Sequence, residues 1–216
     1  MKNILSFVAV SLLVLLMGAQ RIPGPGGTAS GGGGSPCTAL PYTDNFTTTG
    51  ALNSLCWTAW GGSYVPLTVV SSGVVQSTSS STYGVNYFSG LTAGSTPELD
   101  AHITSTSWNA GTSGYPQVCL ANVSTGNAEC TFPTLNQVCT TSLTSGGCSN
   151  PCSFTAGTPS AGDVYQIGWN GSSFYGGDLT TSSICTIAGT AITSPVWVLV
   201  DSPTTQLVTF GPATVH

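Results

Sequence analysis

The sequence carries very little charge. Lys and Arg together contribute 2 of the 216 residues, Asp and Glu contribute 7, and charged residues make up 4% of the chain, against roughly 25% in an ordinary globular domain. Nucleic acid is excluded as a partner, because neutralising its phosphates requires a cluster of basic side chains. Ser, Thr, Gly and Asn fill the polar positions instead, so hydroxyls and amides must solvate the surface.

Long apolar runs are also scarce. The longest begins at Ile4 and ends at Met17, after a basic start and before two small residues, which is the order of a secretory signal peptide. It is shorter than the roughly 20 residues that a bilayer-spanning helix needs. We therefore expect a signal peptide at residues 1–19, no membrane span, a flexible Gly/Pro/Ser-rich leader at 20–36 and one domain at 37–216. The protein is expected to be secreted and extracellular or bound at a cell surface.

Histidine is rare, whereas cysteine is not. Two His and eight Cys do not make a zinc site at these spacings, and an even cysteine count in an exported chain predicts disulfides. Eight cysteines allow 105 pairings, and only Cys119 with Cys130 has a local argument, since the sequence between them forms two short strand patterns around a turn. The preferred pairing is Cys37 with Cys56, Cys119 with Cys130, Cys139 with Cys148, and Cys152 with Cys185.

No helix-period apolar stripe of useful length is present. β-branched and aromatic stretches alternate with Gly, Ser, Asn and Pro clusters, which predicts an all-β domain of two packed antiparallel sheets. The continuously apolar Val196–Val200 is typical of a central strand covered on both faces. The predicted strands are 43–47, 56–60, 67–71, 73–76, 84–88, 99–108, 117–122, 128–132, 163–169, 173–175, 195–200 and 206–210.

The order of these segments resembles the concanavalin A-like jelly roll of lectins, laminin-G-like modules and glucanases. TDNFTTTGALNSLCWTAW is similar to its first strand region and GDVYQIGWNGSSFYGG to a hairpin turning at Asn-Gly, while PVWVLV and QLVTFG are similar to its last two strands. The resemblance implies a disulfide-bonded jelly-roll sandwich whose last strand pairs beside the first. The Cys-rich stretch from Cys119 to Cys152 departs from this pattern and is expected to be an elaborated loop region.

Glu98-Leu99-Asp100-Ala101-His102 resembles the strand of the retaining glucanases that reads Glu, apolar, Asp, x, Glu. Alternation places Glu98, Asp100 and His102 on one face of a strand. The resemblance implies Glu98 as nucleophile and Asp100 as an orienting acid. His102 stands where the family has its second Glu, and would have to donate the proton. An ordinary polar strand face and a calcium contact through Asp100 remain the alternatives.

The aromatic residues indicate how a chain with so little charge could bind a ligand. Aromatic rings beside Asn, Ser, Gly and Thr can stack on sugar rings and hydrogen-bond their hydroxyls. Burial is expected for Trp57 and Trp197. The ligand-binding candidates are Tyr83, Tyr87, Trp108, Tyr115 and Tyr175.

Three functional hypotheses follow. The first is a non-enzymatic module that binds a neutral glycan or polysaccharide or mediates adhesion. The second is an extracellular structural or coat subunit whose partner is a second copy of itself. The third is a glycoside hydrolase of the β-glucanase type that uses Glu98. No cofactor is expected, with a structural calcium ion as the alternative.

Overall fold

The computed structural model describes residues 37, 39–104, 116–143, 147–201 and 209–216. No helix among them is long and apolar enough to cross a bilayer. They form strands and one 3-10 turn, Pro133–Leu135. The strands are β1 Tyr42–Asp44, β2 Gly50–Ala51, β3 Trp57–Ala59, β4 Leu67–Ser71, β5 Val74–Ser77, β6 Gly84–Phe88, β7 Glu98–Ile103, β8 Gln117–Ala121, β9 Asn127–Phe132, β10 Gln137–Ser142, β11 Ser149–Ser153, β12 Val164–Trp169, β13 Ser173–Asp178, β14 Ser183–Ala188, β15 Val196–Asp201 and β16 Phe210–Val215.

The strands form two antiparallel sheets. Sheet A has the order β14-β13-β12-β7-β16-β5-β4-β2, and β1 pairs with β16. Sheet B has the order β11-β10-β9-β8-β15-β6-β3. The predicted two-sheet, all-β sandwich with disulfides is confirmed.

The main core lies between the two sheets. Strand β7 alternates half-buried and buried positions, and its apolar residues Leu99, Ala101 and Ile103 are at most 1% exposed. They belong to one cluster with Trp57 and Trp197, which are 2% and 0% exposed, so the expected burial of both Trp side chains is confirmed. Because side chains alternate along a strand, the polar residues of β7 must point away from this core.

Sheet B buries apolar side chains on its outer face as well. In β15, Trp197 and Leu199 belong to the core between the sheets, whereas Val198 and Val200 belong to a separate apolar cluster. Strand β15 lies between β8 and β6, so it is the central, doubly covered strand that its apolar sequence predicts. Sheet A carries its polar positions outward at β7 instead, which makes the two outer faces chemically different.

The Cys-rich stretch is not a loop region, contrary to the sequence expectation. Strands β8, β9, β10 and β11 follow one another through it as neighbours in sheet B. Cys119 pairs with Cys130 across β8 and β9, and Cys130 pairs with Cys139 across β9 and β10. The sequence did predict strands at 117–122 and 128–132, which are β8 and β9, whereas β10 and β11 were not predicted.

The disulfides join Cys37 to Cys56, Cys119 to Cys130, Cys139 to Cys148 and Cys152 to Cys185. These are the four pairs preferred from the sequence. They connect different parts of the fold: Cys119–Cys130 ties adjacent strands of sheet B, whereas Cys152–Cys185 ties β11 of sheet B to β14 of sheet A.

Several strand boundaries differ from the expectation. The last described strand is β16, Phe210–Val215, which pairs with β1 as expected, and residues 206–208 of the predicted strand 206–210 lie outside the described residues. Strand β7 ends at Ile103, and residues 105–108 of the longer predicted strand lie outside the described residues. Strands β2, β10, β11 and β14 were not predicted, because each is short or rich in Ser, Thr and Cys and lacks a long apolar run.

Candidate functional site

Side chains of three neighbouring strands meet at the centre of the outer face of sheet A. Strand β7 lies between β12 and β16. In its pairing with β12, Asp100 lies opposite Gln166 and Glu98 lies opposite Gly168. Across the next ladder, Tyr175 of β13 lies opposite Gly168. His216, which follows β16, exchanges backbone hydrogen bonds with Glu98. We call the set Glu98, Asp100, Gln166, Tyr175 and His216 the β7 polar face.

These five side chains form one network of three hydrogen bonds and one longer histidine–carboxylate contact. The Tyr175 hydroxyl donates to Glu98 Oε2. Gln166 Nε2 donates to Asp100 Oδ1 over 3.0 Å, and His216 Nε2 lies 3.2 Å from Asp100 Oδ2 and 3.8 Å from Glu98 Oε1. The side chains of Glu98, Asp100 and His216 are each about one fifth exposed, at 22%, 18% and 20%. The network is therefore ordered by protein contacts but remains open to solvent.

Gly168 allows Tyr175 to reach Glu98. The tyrosine belongs to β13 and the glutamate to β7, so the ring must cross the intervening strand β12. A Cβ atom at Gly168 would lie 2.8 Å from Tyr175 Cε2 and closer still to Cζ and the hydroxyl oxygen. The absence of a side chain at this position thus leaves the space in which the tyrosine ring lies.

His102 shares the strand face of Glu98 and Asp100, as the sequence predicts. Burial lowers the pKa of His102, and the nearby Asp100 carboxylate offsets part of that effect. Among the described residues, however, it is His216 whose ring nitrogen lies within 4 Å of both carboxylates. The proton-donor role considered for His102 stays a prediction.

The structure separates the aromatic candidates. Tyr175 belongs to the β7 polar face, whereas Tyr83 and Tyr87 pack against the outer apolar cluster of sheet B. Trp108 and Tyr115 lie outside the described residues. The ligand-binding role proposed for these residues stays a prediction, and the two described groups could not serve one ligand on a single sheet face.

Sequence reasoning missed Gln166 and His216. Gln166 occupies an outward position of β12, as do Val164 and Gly168. Assigning the pairing register of β12 with β7 would have placed Gln166 opposite Asp100. His216 follows β16, and the pairing of β16 with β7 brings it beside Glu98. That neighbour relation joins residues 118 positions apart and has no local sequence signature.

Glu98, Asp100 and His216 could also hold a cation. One ligand atom from each lies within 4.8 Å of the others. Two carboxylates and an imidazole suit a transition metal such as Mn²⁺ or Zn²⁺ better than Ca²⁺, which takes six to eight oxygen ligands. The protein side chains named here supply only three ligands, so water or a bound ligand would have to complete the coordination shell.

No protein-family model and no curated protein matches the sequence. Solved structures do match the fold. The Emp46p carbohydrate recognition domain in its metal-free form superposes with a TM-score of 0.53 at 11% identity, over 74% of this chain and 87% of that one. The exoplasmic/lumenal domain of VIP36, in its Ca²⁺/Man-bound form, gives 0.52 at 8% identity, over 74% and 82%.

An endo-1,3-beta-glucanase from Streptomyces sioyaensis gives a TM-score of 0.50 at 13% identity, over 84% of this chain and 96% of that one. Identities this low carry the fold and no residue roles. Lectin recognition domains and a glucanase are thus similar to the same two-sheet sandwich. The chain has the concanavalin A-like jelly-roll fold.

Proposed function

We propose that this protein is a secreted carbohydrate-binding module that holds a neutral glycan on the β7 polar face. The observation that carries the proposal is the solvent-open network of two carboxylates, an amide, a phenol and an imidazole on the outer face of sheet A. Carboxylate and amide groups bind pairs of sugar hydroxyls, and a tyrosine ring packs against the apolar face of a pyranose. The similarity to lectin recognition domains supports this use of the fold.

The charge of the chain favours a neutral ligand. Its only Lys and Arg residues, Lys2 and Arg21, lie outside the described domain. A sulfated or uronic acid polymer would therefore bring its negative charges next to Glu98 and Asp100 without a Lys or Arg partner in the described domain. Coulomb repulsion of this kind lowers affinity, so uncharged hexose polymers are the favoured class.

Affinity electrophoresis and calorimetry on neutral polysaccharides test the proposal. Asp100→Asn should weaken binding at least tenfold, because it alters the acceptor that Gln166 and His216 hold in place. Asp163→Asn is the matched control: it removes one carboxylate that accepts a backbone N–H from Ser160 in a turn, and it should bind within twofold of the parent. Equal affinity of the Asp100 variant and the parent would contradict the site.

A glycoside hydrolase is the second candidate. Glu98 and Asp100 lie on the same face of β7 with carboxylate oxygens within 4.8 Å of each other, an arrangement that suits a nucleophile beside an orienting acid. Glu98 would be the nucleophile, and His102 or His216 would supply the proton. Reducing-sugar release from β-1,3-glucan should then be lost in Glu98→Gln while polymer binding persists. Equal release by the variant and the parent would remove the hydrolase.

The disulfides bear on the compartment in which the protein folds. Four disulfides support a protein that folds in an oxidising compartment, while the signal peptide and leader expected at 1–36 lie outside the described residues.

We also infer that a divalent cation binds at Glu98, Asp100 and His216. Mn²⁺ or Zn²⁺ should raise the melting temperature of the parent and leave Asp100→Asn unchanged; the same shift in both would place the ion elsewhere.

A further inference from the structure

A second pocket lies on the opposite side of the sandwich, on the outer face of sheet B. It has a volume of about 280 Å³. Its walls include Tyr64, Tyr83, Gln117, Phe132, Thr141 and Leu143. Because sheet A and sheet B present their outer faces in opposite directions, this pocket and the β7 polar face cannot share one small ligand.

The pocket lies over buried side chains of sheet B. Beneath it lies the apolar cluster of sheet B, in which Val85, Val198 and Cys119 are 0% exposed. Tyr64 is held in place because its hydroxyl donates to the Leu143 carbonyl. The Thr141 hydroxyl donates to the Gly147 carbonyl. These contacts fix one phenol ring and one edge of the pocket before any ligand arrives.

A disulfide strengthens the same edge. Cys148 lines the pocket and is bonded to Cys139 of β10, which is fully buried. The bond ties Cys148 to strand β10 of sheet B. A preorganised rim of this kind reduces the entropy that is lost when a ligand binds.

The wall chemistry defines the class of ligand. Tyr64, Tyr83 and Phe132 give the pocket aromatic walls, and Gln117 and Thr141 contribute polar groups, while no described lining residue carries a charge. Burial raises the pKa of the Tyr64 hydroxyl, so the phenol stays protonated over the physiological range. Sugar rings have an apolar face and hydroxyl edges that match such walls. The volume lies just below the 300–1,000 Å³ of most small-molecule sites and suits a single ring.

We propose that this pocket is a second carbohydrate site, which takes one neutral pyranose ring and is separate from the β7 polar face. With one site on each sheet, a single chain would hold two sugar units that point away from each other. Such a molecule would cross-link a neutral polysaccharide rather than only coat it. The second site does not depend on binding at Glu98 and Asp100, because its residues lie on the other sheet, whereas cross-linking rests on the proposed function as well.

The test uses the whole chain with the first site disabled by Glu98→Gln and Asp100→Asn. Saturation-transfer NMR and chemical-shift titration with the methyl glycosides of glucose, galactose, mannose and N-acetylglucosamine measure what binds. At least one glycoside should bind this double variant. Adding Tyr83→Ala should weaken that binding at least tenfold, and adding Gln117→Ala should also weaken it, which guards against a fold defect at Tyr83.

Tyr87→Ala is the matched control. Tyr87 belongs to the same apolar cluster and packs against Trp60 with ring centroids 5.9 Å apart, outside the pocket lining. This variant should bind the glycoside within twofold of the double variant. The proposal is overturned if no glycoside binds the double variant, if both pocket variants retain full affinity, or if the Tyr87 control loses affinity as they do.

Discussion

Replacing Gly168 by Ala should destabilise the protein, although the backbone there does not need glycine. The φ angle of Gly168 lies outside the left-handed region, and the added methyl group would overlap the Tyr175 ring. Displacing that ring removes the hydrogen bond to Glu98, worth about 1 kcal/mol at a partly exposed site, and crowds its neighbours by about 1 kcal/mol more. Relief of the glycine entropy penalty returns roughly 0.5 kcal/mol. The net cost is about 1–2 kcal/mol.

The sign of this effect should reverse once the ring is removed. In a Tyr175→Ala background no aromatic ring lies above Gly168 and no hydroxyl reaches Glu98. Gly168→Ala should then stabilise the protein by roughly 0.5 kcal/mol, because only the loss of glycine flexibility in the unfolded chain remains. The coupling between the two positions is therefore expected to be about 2 kcal/mol.

Urea unfolding of the four proteins in the double-mutant cycle measures this coupling. The parent, the two single variants and the double variant should give similar m-values, so that midpoints report stability. If Gly168→Ala costs the same free energy with and without Tyr175, the ring does not occupy the space above Gly168. In that case the geometry of the β7 polar face described here would be wrong.

Three further predictions concern stability. Burial raises the pKa of Glu129, so the folded state holds the proton more tightly than the unfolded state, and the free energy of unfolding falls as pH rises above the ordinary glutamate pKa. The stability of Glu129→Gln relative to the parent should therefore increase as pH rises from 4 to 7. Urea midpoints that change in parallel for the two proteins would contradict this. Burial lowers the pKa of His102, so the parent should lose stability as pH falls below about 6.5, and His102→Gln should lack that loss in the same titration. Replacing both Cys119 and Cys130 by Ala should cost about 2–4 kcal/mol, and unchanged thermal unfolding would show that this disulfide does not stabilise the fold.

Local patterns were enough to predict most of the strands and the fold class. Val196–Val200 needed no tertiary information, because an apolar run of that length and composition fits a doubly covered strand. Glu98, Asp100 and His102 were also assigned to one face correctly, since alternation along a strand is a property of the backbone. In the Cys-rich stretch β8 and β9 were predicted, whereas β10 and β11 were missed because they are rich in Ser, Thr and Cys and lack an aliphatic run.

The candidate site was only partly predictable. Glu98 and Asp100 were visible as a motif, and Tyr175 as an aromatic in a polar segment. Their connection to each other depends on the order β13-β12-β7-β16 in sheet A, and on the missing side chain at Gly168. Neither the strand order nor the contact at Gly168 can be inferred from a sequence window of ten or twenty residues.

The sequence by itself determined the shortage of charge, the alternating strands and the strand face that Glu98 and Asp100 share. These follow from composition and from the two-residue period of a strand. Only the tertiary structure decided that His216 and Gln166 would meet those acids, and that Tyr83 and Tyr175 would face opposite sides of the molecule. The reason is physical: strand order and register join residues far apart in the chain, and they are set by how two whole sheets bury their apolar faces.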